Sequence, residues 1–151
     1  VLPSPNGSSI CEVLRLREID VAIGCLRNAS ATASHVQNAL EAGKTVTLIA
    51  AGERWEDGDA LRPCLEDHLG AGAVLASLAA AGFGDRMSPE ARAAALLFSA
   101  HASALGQTIR NCVSGKGLDA RGFDSDVAAA IELDASLNVP GLIEGAFAIT
   151  G

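Results

Sequence analysis

The chain has 151 residues, 49% hydrophobic and 19% charged, enough to bury one core and too apolar for a largely disordered polypeptide. A net charge of −7 and a pI of about 4.8 argue against a general nucleic-acid binder, which needs clustered Lys and Arg. No apolar run reaches the roughly 20 residues that span a bilayer, and Cys11, Cys25, Cys64 and Cys112 form no C-x-x-C pair, which disfavours a zinc or redox motif and fits reduced thiols in a cytoplasmic protein.

In chain order, Val1-Leu2 reads as the tail of a strand and Pro3 to Ser9 as a turn. Ser9 with Glu12 fits a capping box opening a helix to Arg17. Asp20 to Cys25 is short, β-branched and apolar, as in a strand buried on both faces. A loop over Leu26 to Ser30 leads into a second helix, 31 to 42, closed by Gly43 as a C′ glycine. Thr45 to Ala51 reads as the next buried strand, followed by a charged loop from Gly52 to Leu61.

Pro63 suits the first turn of a long helix to about Ala81, in which Gly70-Ala71-Gly72-Ala73 permits close approach of another backbone or a ligand. Ser88-Pro89-Glu90 starts another helical stretch to about Cys112, interrupted near Gly106, and Gly115-Lys116-Gly117 marks a loop. A helix over Ser125 to Leu133, a turn at Val139-Pro140-Gly141 and a final strand from Leu142 to Ile149 complete the chain. Strand, helix and strand in alternation predict a single α/β domain with a mostly parallel sheet, its site in the loops after the strands.

Three such loops hold candidate chemistry. Asn6, Gly7, Ser8 and Ser9 offer backbone N–H groups, hydroxyls and a helix start suited to an anion, or serve as an ordinary turn and N-cap. Arg27 beside Asn28 can grip phosphate or carboxylate in a fork, or lie on the surface. Glu53, Arg54 and Trp55 follow a strand directly. Glu66 and Asp67, on a helix first turn, either favour the macrodipole or join the oxygen-rich loops as ligands for Mg²⁺. Arg27, Arg54, Arg62 and Arg110 are scattered, and only the fold decides which converge. His35, His68 and His101 lack metal-ligand spacing, and His68 alone adjoins a candidate site.

The ordered series Ser4-Pro5-Asn6-Gly7-Ser8, Gly24 to Ala29, Ile49 to Trp55 and Glu66 to Ala73, with Gly122-Phe123, Asp126-Val127 and Val139-Pro140, resembles the 2-phosphosulfolactate phosphatase family over nearly the whole chain. The resemblance implies a three-layer α/β/α fold of which this chain would be the C-terminal larger part. It also implies Mg²⁺ and hydrolysis of the phosphate ester of a small sulfonated or carboxylated hydroxy acid. On that reading Asp67, with Glu53 or Glu66, holds the metal, Asn6 to Ser9 with Asn28 cradle the phosphate, and Arg27 or Arg54 meets transition-state charge or the acid's own anion. The alternative is a non-catalytic α/β domain binding an anionic metabolite. Two departures stand out: an upstream Asp-rich strand end is absent, and Ala102 and Ser103 stand where the family commonly has a glycine and a basic residue. The first makes an N-terminal fragment, or a second copy of the chain, the expected partner.

Overall fold

The computed structural model describes residues 6–55, 58 and 60–149. The expected strand at Val1-Leu2, the start of the first loop and Glu56, Asp57 and Asp59 lie outside that set. The described chain is mainly helical: α1 (Gly7–Arg15), α2 (Ala29–Glu41), α3 (Leu65–Leu78), α4 (Pro89–His101), α5 (Leu105–Asn111), α6 (Val113–Asp119) and α7 (Asp124–Ala130). Two antiparallel hairpins accompany them, β1 (Glu53–Arg54) with β2 (Leu61–Arg62), and β3 (Pro140–Ile143) with β4 (Ala146–Ile149). No helix among the described residues is long and apolar enough to cross a membrane.

The core is built around α3. Acidic Glu66 and Asp67 occupy its first turn, where they complement the macrodipole. Its later turns bury Leu69, Val74, Leu75 and Leu78 on several faces, the pattern of a helix enclosed by neighbours. It packs mainly on α4 and then on α2. Gly72 lets α4 come close: a Cβ there would lie 2.4 Å from the Ala94 carbonyl oxygen and 2.9 Å from Phe98 Cβ. α3 runs on through Ala79–Phe83, and Gly82 at φ +93° breaks the helical path. Ser88 then caps α4 as expected, its Oγ accepting from the Ala91 N–H at 3.2 Å, with Pro89 in the first turn.

α2 ends as its sequence predicts. Gly43 takes φ +79°, and the Lys44 N–H reaches back to the Ala39 carbonyl at 3.0 Å, closing a Schellman turn. Its start is held from far away, since Asp134 accepts from the Ser30 N–H at 2.7 Å and from its hydroxyl at 2.6 Å. α1 starts at Gly7 rather than at Ser9, and Glu12 pairs with Arg15 at 2.7 Å instead of closing a capping box. The break after α4 falls at Ala102–Ala104, before Gly106. Gly115-Lys116-Gly117 is helical, not a loop: a Cβ on Gly115 would meet the Ile109 oxygen at 2.1 Å, so glycine serves there for the close crossing of α5 and α6.

The three-layer α/β/α fold with a mostly parallel sheet is not what forms. The two predicted buried strands form no shared ladder among the described residues, and most of their residues are exposed. Residues 20–24 touch β3 through one antiparallel bridge, Ala22 to Gly141, with Ile23 N–H to the Pro140 oxygen at 2.8 Å and Leu142 N–H to the Val21 oxygen at 2.9 Å. Thr45 to Ala51 makes no backbone hydrogen bond among the described residues. Both segments line an apolar cleft of about 1410 Å³ together with residues of α1, α2, α3 and α6. β-branched composition records local suitability for extension, whereas a ladder needs a neighbour in register, which composition does not specify. The last segment folds as a hairpin rather than a single strand, because Glu144 and Gly145 adopt φ +49° and +82°, the pair of positive values of a type I′ turn.

Candidate active site

A second cleft, of about 880 Å³, is polar. It is lined from the start of α1, the β1–β2 hairpin, the first turn of α3 and α6. Asn6, Gly7, Glu53, Arg54, Glu66 and Asp67, separate in sequence, all line it. Glu66 and Asp67 line the apolar cleft as well, so the carboxylates sit where the two cavities meet.

Asp67 is fixed by the backbone of the extended segment before β1. Its Oδ2 accepts from the Gly52 N–H at 2.8 Å. Gly52 can present that N–H because it holds φ +70°. Burial pushes the Asp67 carboxyl above the usual aspartate range; the Gly52 N–H lowers it, Glu66 and Glu53 raise it, and Arg62 lowers it. Glu53 moves the other way. Its Oε1 accepts from the Arg54 N–H at 3.0 Å and from the amide of buried Asn6, and these two bonds hold it below the usual glutamate range. Asn6 precedes α1 without capping it, its amide being committed to Glu53 instead.

The hairpin also brings Arg62, named in the sequence only among scattered arginines, beside the expected Arg54 and Trp55. The register pairs Glu53 with Arg62, which puts Arg54 and Arg62 on neighbouring strands of one cleft wall. Arg62 lies over Trp55, with Cζ 5.8 Å from the ring centroid, and donates to Ser114 Oγ at 3.2 Å. Arg121, on the turn after α6, also lines the cleft and donates from Nε to the Gly117 oxygen at 3.0 Å. The available sequence signal was a Trp and an Arg flanking a short turn-rich segment.

Other candidates lie elsewhere. Arg27 donates to the Ala129 carbonyl at 2.6 Å and to the Glu132 carboxylate, and it lines neither cleft. Asn28 is buried, donating to the Ile23 and Asn138 carbonyls at 3.1 and 2.9 Å and accepting from the Cys25 N–H at 2.7 Å. Ser8 and Ser9 are exposed on α1 outside the polar cleft, and exposed His68 lines neither cavity. The thiols of Cys64 and Cys112 are raised chiefly by burial, which keeps them protonated and poor nucleophiles.

Among the described residues no group of three or more His, Cys, Asp or Glu side chains converges closely enough to enclose a metal ion. The donors nevertheless suit a hard cation that needs less protein. Mg²⁺ takes one or two carboxylates, keeps several waters and shares phosphate oxygens, and Glu53, Glu66 and Asp67 bring such oxygens to one cleft.

No curated protein matches the chain significantly. A family model described as 2-phosphosulpholactate phosphatase matches residues 1–145 of the 151. The chain therefore belongs to the 2-phosphosulpholactate phosphatase family, a family of phosphoric monoester hydrolases.

Proposed function

We propose that this chain is a Mg²⁺-dependent phosphatase acting on the phosphate ester of a small sulfonated or carboxylated hydroxy acid. The observation that carries the reading is Asp67: a half-buried carboxylate anchored by one backbone N–H, with Glu53 and Glu66 lining the same cleft as Asn6 and Arg54.

Asp67 and either Glu53 or Glu66 would hold the ion, which when bound supplies a Lewis-acid counter-charge to phosphate oxygens. Water attacks phosphorus, the P–O ester bond breaks, and the alcohol oxygen leaves with a proton, so phosphate and the free hydroxy acid are the products. Among the described residues Asp67 keeps Oδ1 unengaged while Oδ2 is anchored, so it can orient the attacking water without turning away. Arg54 stands on the same wall to receive negative charge on the phosphoryl group. Of Arg27 and Arg54, both considered for that role, Arg54 is the one that lines the cleft.

The test is phosphate release from a panel of phosphorylated small hydroxy acids, with Mg²⁺ and with chelator. Turnover of at least one member, abolished by chelator and restored by Mg²⁺, is expected. Absence of Mg²⁺-dependent release across the panel overturns the reading.

A further inference from the structure

Among the described residues, the ion pairs are Arg15 with Glu12, Arg27 with Glu132 and Lys44 with Asp20, and none lies in the polar cleft. Arg62 is half-buried there, with its Cζ over the Trp55 ring and one nitrogen, Nη2, committed to Ser114 Oγ. It therefore brings a positive charge to the cleft wall that no carboxylate within ion-pair distance neutralises among the described residues.

Two neighbours fix how that charge can be used. Trp55 flanks the guanidinium, and the N–H groups not committed to Ser114 can form a fork matched to two oxygens of one anion. Ser114 Oγ accepts from Arg62 and its hydroxyl lies against the Cys64 sulfur, so it holds the guanidinium in place on the cleft wall. Together Arg62 and Ser114 link β2 to α6 on the cleft wall.

We propose that Arg62, held by Ser114 and over Trp55, is the subsite for the acid group of the substrate, a carboxylate or sulfonate, and that it sets the preference for phosphorylated acids over phosphorylated neutral alcohols. This rests on the phosphatase reading, which assigns the phosphate to Asp67 and Arg54. A phosphorylated acid carries two anions, and two arginines of the hairpin, Arg54 and Arg62, line this cleft.

The experiment has two arms on the full chain. In the first, kcat/KM with Mg²⁺ is compared for a 2-phosphorylated hydroxy acid and for the phosphate ester of the matching neutral alcohol, in the native chain, Arg62→Lys and Arg62→Ala. Loss of a charge-assisted fork lowers the ratio of the two kcat/KM values about 10- to 100-fold in Arg62→Ala. Arg62→Lys, which keeps the charge without the fork, recovers only part of it. Equal losses on both esters overturn the assignment, since Arg62 would then act on the phosphate.

In the second arm, calorimetry measures binding of an unphosphorylated hydroxy acid and a sulfonated hydroxy acid, with no turnover involved. Binding to the native chain that is lost in Arg62→Ala, whose melting profile is checked in parallel, is expected. Binding that survives Arg62→Ala, or no binding to the native chain, overturns the subsite. Failure of catalysis with this arm intact would defeat the phosphatase reading alone.

Discussion

At Asp67, burial and chemistry act against each other. The aspartate pKa is raised mainly by desolvation, so the folded state holds the Asp67 proton more tightly than the unfolded chain does. The resulting cost to stability is absent at pH values below the ordinary aspartate pKa, grows as pH rises through the window up to the raised value, and is fully present above it. Asp67→Asn removes the charge and keeps an oxygen for the Gly52 N–H. Measured in chelator, the variant should therefore melt above the native chain at neutral pH, with the difference vanishing below about pH 3.5. Its Mg²⁺-dependent turnover should fall by about 100-fold or more. Lowered melting at neutral pH together with retained turnover would show that Asp67 serves only the helix dipole. Such a gain in stability with loss of activity is the usual mark of a charge kept for function.

At the scale of elements, the close crossing of α3 and α4 sets what Gly72 can become. A Cβ 2.4 Å from a backbone oxygen cannot be relieved by a side-chain rotation, so the two helices must separate. Gly72→Ala should cost about 1–3 kcal/mol, a fall in melting temperature of roughly 2–12 °C for a chain of this length. Gly117→Ala is the contrast: it lies within α6, and a Cβ there would have no neighbouring atom within 4 Å, so the gain in helix propensity should raise stability by about 0.5–1 kcal/mol. Thermal melts of the two variants with opposite signs are expected; a neutral Gly72→Ala would mean the α3–α4 contact yields easily.

The same scale shows what the sequence made legible. α2 with its Gly43 terminus, α3 from the Pro63 region and α4 from Ser88-Pro89 were readable because their signals are local, a few residues apart. Strand pairing was not, because apolar runs at 20–24 and 45–51 say nothing of their neighbours. For the site, Glu53, Glu66 and Asp67 were legible as acids near loop and helix starts, and the fold does place them in one cleft. Arg27 and Asn28 had the same local appearance, but their partners Glu132 and Asn138 stand 105 and 110 residues away. Arg62 was hidden by the opposite effect: its importance comes from a hairpin register and from Ser114, 52 residues on.

Across the whole molecule, order is unevenly distributed. α2, α3 and α4 follow one another in the chain and enclose the core, whereas Thr45 to Ala51 lies along its side with its backbone groups unshared among the described residues. That segment, Thr-Val-Thr-Leu-Ile-Ala-Ala, has no charge, proline or glycine, and Ile49 is 52% exposed. These are the features of a strand that templates its own kind, copy stacking on copy in register. Concentrated protein held at moderately elevated temperature should therefore form thioflavin-positive fibrils after a lag, with a protease-resistant core containing residues 45–51. Ile49→Lys, a gatekeeper charge on an exposed position, should lengthen that lag by about threefold or more without changing the melting temperature much. An unchanged lag would place fibril nucleation in some other segment. A segment whose backbone groups are unshared among the described residues would thus set the shelf life of a concentrated stock as well.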